Sequence, residues 1–147
     1  MRRFSLLLLL LALTANCVAR DETVEELKGR LAHARPEERP EICVRIAQLE
    51  IKMADRLYTE GHVDQAAAAV EDVVTYFEKA RDSAIDSKSH LKNVEIGARK
   101  SSEKLADIKR TLAFEDQAPV EKAIHRLEEV RTALLNEMFA SKKKDKK

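Results

Sequence analysis

The chain has 147 residues, enough for one hydrophobic core and too few for a second independent domain. Three glycines, three prolines and 36% charged residues argue against a sheet-rich fold, whose turns need more punctuation, and suit long solvated helices. The formal charge of +1 conceals an acidic body, because residues 20–140 hold 20 basic and 25 acidic side chains; with no tryptophan and few aromatic rings, this argues against a nucleic-acid binder, which needs a basic groove and stacking platforms.

Arg2 and Arg3 precede an apolar run from Phe4 to Leu13, and Cys17-Val18-Ala19 offers small residues for cleavage. A positive start, an apolar middle and a small-residue end predict a secretory signal peptide over residues 1–19. The run falls short of the ~20 apolar residues a spanning helix requires. The expected location is therefore periplasmic or extracellular. Cys17 leaves two outcomes open: lipidation at that cysteine, which would anchor the protein to a membrane, or ordinary cleavage after Ala19. In the second case Cys43 is the one remaining thiol, and its place beside Ile42 and Ile46 predicts a small buried hydrophobe.

The mature domain, residues 20–140, is expected to be all-α. Val24, Leu27, Leu31 and Ala34 recur at helical spacing behind Asp21 to Thr23, whose acids and hydroxyl suit a helix N-terminus. Pro36-Glu-Glu-Arg-Pro40 ends that helix and turns sharply into the next. Ile42, Ile46, Leu49, Met53 and Leu57 then line one helical face up to Gly61, which fits a left-handed cap. Val63, Ala66, Val70, Val73, Phe77 and Ala80 resume the step beyond it, so residues 48–80 predict an antiparallel hairpin about which the chain is organised. The alanine run from Ala66 to Ala69 lets helices approach closely, or offers a flat seat to a partner helix.

Ala54 and Leu57 as small and large positions of a first helix, Gly61 at the turn and Ala66 opening a second helix resemble a tetratricopeptide repeat, whose period is ~34 residues. The resemblance covers about a quarter of the chain. Glu50, Val63 and Val70 stand where the family prefers aromatics, Val73 replaces a small residue, and no proline closes the unit near Glu78. It implies a helical hairpin that takes part in binding another protein or a second copy of the chain.

Positions 63, 70, 77, 84, 91, 98, 105 and 112 are Val, Val, Phe, Ala, Leu, Ala, Leu and Leu. Held for about fifty residues, this permits one long central helix of ~75 Å. Yet the stripe weakens to Ser87 and Ser101, and Asp86-Ser-Lys-Ser-His90 favours a break there, with the following segment folding back. Ile96 and Gly97 fit neither pattern. Phe114 to Pro119 reads as a loop, with Asp116 as a capping acceptor, and Val120, Ile124, Leu127, Val130, Leu134 and Met138 mark the last helix. Residues 141–147 hold five lysines and one aspartate. They are expected to be a disordered tail, either simply solvated or touching acidic lipid headgroups, each nearby lysine contributing ~1 kcal/mol.

No catalytic constellation is legible. The three glycines are scattered, so no phosphate-cradling loop forms, and no serine sits on a glycine-rich elbow. Glu121 and His125 with Glu128 and Glu129 make a weak metal-binding alternative, since helical bundles use paired carboxylate–histidine motifs and the second motif is missing. The expectation is a non-enzymatic, cofactor-free, exported helical interaction domain, with an envelope-anchored structural protein as the alternative.

Overall fold

A computed structural model of the chain describes residues 22–144, with side chains to Ala140. The predicted signal segment, Cys17 and the last three residues lie outside them. Among the described residues there are five α helices and no strand: α1 (Val24–His33), α2 (Arg39–Thr59), α3 (Val63–Ser87), α4 (Leu91–Thr111) and α5 (Gln117–Lys144), with one 3-10 turn (Phe114–Asp116) ahead of α5.

Local chemistry explains each boundary. Thr23 caps α1: its hydroxyl accepts from the Glu26 backbone N–H, and the Glu26 carboxylate accepts from the Thr23 N–H at 2.9 Å, a reciprocal capping box. Pro40 sits in the first turn of α2, where its missing N–H is harmless. At the end of α2, Gly61 adopts φ +82. The His62 N–H reaches the Leu57 carbonyl at 2.8 Å and the Gly61 N–H reaches Tyr58 at 3.1 Å, so the free carbonyls of the last turn are satisfied by a Schellman cap.

The long central helix does not form. α3 stops at Ser87, and α4 begins at Leu91, so the chain breaks inside the weak part of its heptad. The break uses no glycine. Lys88 and His90 both take positive φ, 51 and 60. The Ser89 N–H closes onto Ala84 at 3.2 Å, and the Ser87 hydroxyl bonds the Ser83 carbonyl at 2.6 Å and meets the Ser89 hydroxyl at 2.7 Å. Serines at these points cap the turn, which is why a residue that packs poorly in a heptad stripe stands there.

Cross-helix contacts fix the topology. Between α4 and α5 the partners Lys109–Glu121, Ser102–Glu128 and Glu95–Arg131 run in opposite directions, at 3.2, 3.0 and 3.0 Å. Between α2 and α4, counting the residues just ahead of each, they run in the same direction: Glu37–Ser89, Val44–Gly97 and Asp55–Lys104. Two antiparallel hairpins, α2–α3 and α4–α5, therefore lie side by side with α2 parallel to α4 and α3 parallel to α5. Arg126 of α5 ties the second pair, donating to Glu78 at 3.0 Å and also to Glu71 of α3. α1 packs on the outside of α2 through the fully buried Leu27.

The core follows from that arrangement. α3 is flanked by α2, α4 and α5, so its buried set widens beyond the predicted stripe to include Ala69, Val74 and Tyr76. α5 buries Val120, Leu127, Val130 and Leu134 as its spacing requires. On α2 the predicted Ile42 and Ile46 are buried, and Leu49 and Leu57 pack against the core. The buried face is wider than the predicted stripe, taking in Cys43, Ala47, Glu50, Ile51 and Ala54, whereas Met53 is 39% exposed. Small side chains at 43, 47 and 54 let α3 approach closely, and Met53 is left on the outer edge. The helix of α5 continues to Lys144, overlapping the first four residues of the lysine-rich tail.

Candidate functional site

The hairpin residues singled out by sequence occupy structural positions. Ala54 and Ala66 are fully buried, Leu57 is half-buried against the core, and Gly61 makes the turn. Of the alanine run, Ala66 and Ala69 face inward while Ala68 is exposed. Their role is the close approach of α2 and α3.

Of the groups with chemical potential, Cys43, Ser102 and Glu50 are buried, and Glu121 and Glu128 are ion-paired. Cys43 is 1% exposed, and burial pushes its thiol up to about 11, well away from the thiolate form that reacts. Ser102 is buried with its hydroxyl on the Glu128 carboxylate. Glu121 is held by Lys109 at 3.2 Å, Glu128 by Arg131 at 2.7 Å, and His125 is exposed on α5. Among the described residues no three of His, Cys, Asp and Glu converge to hold a metal ion. Glu50 is 8% exposed. Burial pushes its carboxyl above 4.5, Asp72 adds to the shift, and Lys28 at 3.9 Å opposes it.

What the fold builds at its surface is a furrow between the two parallel helices α2 and α4. Two recesses of about 370 and 260 Å³ share Arg45, Gln48 and Lys100, so they form one channel. Val44, Leu49, Ile51, Ile96 and Gly97 supply its apolar floor, with Arg45, Lys52, Lys100 and Lys104 as its cations and Glu41 as its one acid. The floor is low because Gly97 has no side chain: a Cβ there would lie 3.1 Å from Val44 and 3.2 Å from the Phe77 ring. Gly97, which fits no helical stripe in the sequence, is thus a point at which α4 seats on α2, and Ile96 beside it lines the furrow. A more open depression of about 640 Å³ lies between α1 and the start of α2. There Arg30 is paired with Glu22, and Glu38 with Arg35.

The chain matches no protein-family model, no curated protein and no solved structure.

The four cations of the furrow differ in their partners. Arg45 is paired with Glu22, which reaches over from the start of α1, and Lys104 is paired with Asp55 at 2.7 Å. Lys52 and Lys100 are exposed and have no acidic partner among the described residues. None of these residues stood out in the sequence, where they fall on the polar sides of two helices 50 residues apart. The furrow becomes visible only once α2 and α4 lie parallel.

Proposed function

We propose that the chain is an exported, non-enzymatic helical interaction protein whose first hairpin is tetratricopeptide-like and which holds another protein in the furrow between α2 and α4. One observation carries this role: a concave channel with an apolar floor and, on its walls, two lysines without an acidic partner among the described residues. Apolar patches rimmed by polar groups mark contact sites on proteins. Support for the repeat-like hairpin comes from the buried Ala54 and Ala66 and the positive φ of Gly61. The stacking offset differs from the family's ~34 residues, since Glu37 and Ser89, which meet across the hairpins, are 52 apart. The resemblance therefore rests on the first hairpin alone.

Export rests on residues 1–19, and the anchored alternative on acylation of Cys17 together with the lysine-rich end. Mass spectrometry of the mature N-terminus separates them: a start at Arg20 supports a released protein, and a lipid-modified Cys17 supports the anchored one. The binding role is tested with a photo-crosslinking amino acid placed at Gln48 in the furrow or at Glu129 on exposed α5, in an envelope extract. Capture of a discrete protein from position 48 and not from 129 is expected. Equal capture from both, or none, removes the support for the furrow.

A further inference from the structure

We propose that the occupant of the furrow is a short acidic, leucine-bearing segment of another protein, a proposal that rests on the interaction role above. The body of the domain is net acidic. In the channel Arg45 is neutralised by Glu22 and Lys104 by Asp55, which leaves Lys52 and Lys100 against Glu41 in the lining, a small local excess of positive charge. A carboxylate-rich ligand is drawn to such a channel and repelled by the surface around it. Lys52 and Lys100 are the two furrow cations without an acidic partner among the described residues, and the apolar floor at Leu49 lies in the same recess. Glu22 already shows the chemistry within the chain, as its carboxylate pairs with Arg45 at the furrow's edge.

Length sets the size of the ligand. From Glu41 to Lys52 the furrow follows α2 for ~17 Å at 1.5 Å per residue, which an extended segment at ~3.3 Å per residue covers with about five residues. The most acidic part of the ligand is directed to Lys52 and Lys100 and away from Glu41. A concave channel walled by two helices receives a chain segment better than it meets a flat bilayer. This favours a peptide over a lipid surface.

The test is fluorescence anisotropy of the purified protein with three labelled peptides: five residues alternating aspartate and leucine, the same with lysine for aspartate, and the same with serine for aspartate. The aspartate peptide is expected to bind at least tenfold tighter than the serine peptide and the lysine peptide to show no binding. Lys52→Glu with Lys100→Glu should weaken the aspartate peptide at least tenfold while circular dichroism stays unchanged, both positions being solvent-exposed. Equal affinity for aspartate and serine peptides, or no effect of the double variant, overturns the proposal. So does sedimentation with phosphatidylglycerol vesicles that the double variant abolishes, because the lysines would then read an anionic surface. If position 48 captures a protein whose binding ignores the double variant and the aspartate peptide, the acidic ligand fails and the interaction role stands. If position 48 captures nothing, the role itself fails.

Discussion

Replacing Gly97 by alanine sets two effects of opposite sign against each other. Mid-helix glycine is about 1 kcal/mol worse than alanine, so on an unobstructed face the change would stabilise α4. Here the new methyl would sit 3.1 Å from Val44 Cγ1 and 3.2 Å from Phe77 Cε1, inside the ~3.5–4.0 Å optimum for carbon pairs. Val44 is half-buried and can shift, but Phe77 is fully buried on the central helix and has no space to retreat into. Overpacking of this kind costs ~1–3 kcal/mol, so Gly97→Ala should be net destabilising by about 1 kcal/mol. For a domain of this size that is a fall in Tm of roughly 4 °C. Phe77→Leu removes the ring edge and in that background Gly97→Ala should become stabilising by up to ~1 kcal/mol. A double-mutant cycle by urea unfolding, followed by circular dichroism at 222 nm, should thus give a coupling of about 2 kcal/mol. Equal stabilisation by Gly97→Ala in both backgrounds would refute the claim that Phe77 and Gly97 define the seating of α4.

Two further substitutions test the buried carboxylate and the glycine-free turn. Glu50 has a folded pKa raised above its ordinary 4.5, first by burial and then by Asp72. The folded state therefore holds the proton more tightly than the unfolded one, and the group's contribution to stability is fully present below 4.5 and lost as pH rises through the raised folded value. Glu50→Gln should stabilise by ~1 kcal/mol at pH 7.5, with the advantage over the parent shrinking to nothing by pH 4; an advantage independent of pH would rule out ionisation as its source. Lys88→Gly should stabilise by up to ~1 kcal/mol, because Lys88 holds φ 51 where a Cβ is unfavourable. Thermal unfolding of the two proteins measures it, and a lower Tm for the glycine variant would show that the lysine's left-handed conformation costs nothing.

The helices are legible because their signals are local. Asp21 to Thr23 ahead of the first apolar residue, the proline pair at 36 and 40, and Gly61 with its apolar flanks each act within a few residues, and each lies where a helix starts or stops. The turn at Ser87 to His90 is legible for a different reason, as a fading of the stripe, since its left-handed positions are filled by Lys88 and His90 in place of glycine. The width of the buried face of α2 and the exposure of Met53 are not legible in the same way. A stripe drawn through the large residues puts Met53 inside and Glu50 outside. The true contact surface is chosen by the small residues Cys43, Ala47 and Ala54, whose value lies in how near α3 can come.

The furrow is one step further from the sequence, because it depends on which pairs of helices lie together. Periodicity assigns Arg45, Lys52, Lys100 and Lys104 to solvent, and they are in solvent. What turns two solvated faces into one channel is the parallel placement of α2 and α4, and Gly97 sets how deeply they approach. Where a side chain is absent at 97, Val44 enters and the floor drops. On either side long cationic chains cannot enter the seam and stand as its walls. The close contact between Gly97, Val44 and Phe77 that sets the packing of the fourth helix thus lies at the floor of the proposed binding channel.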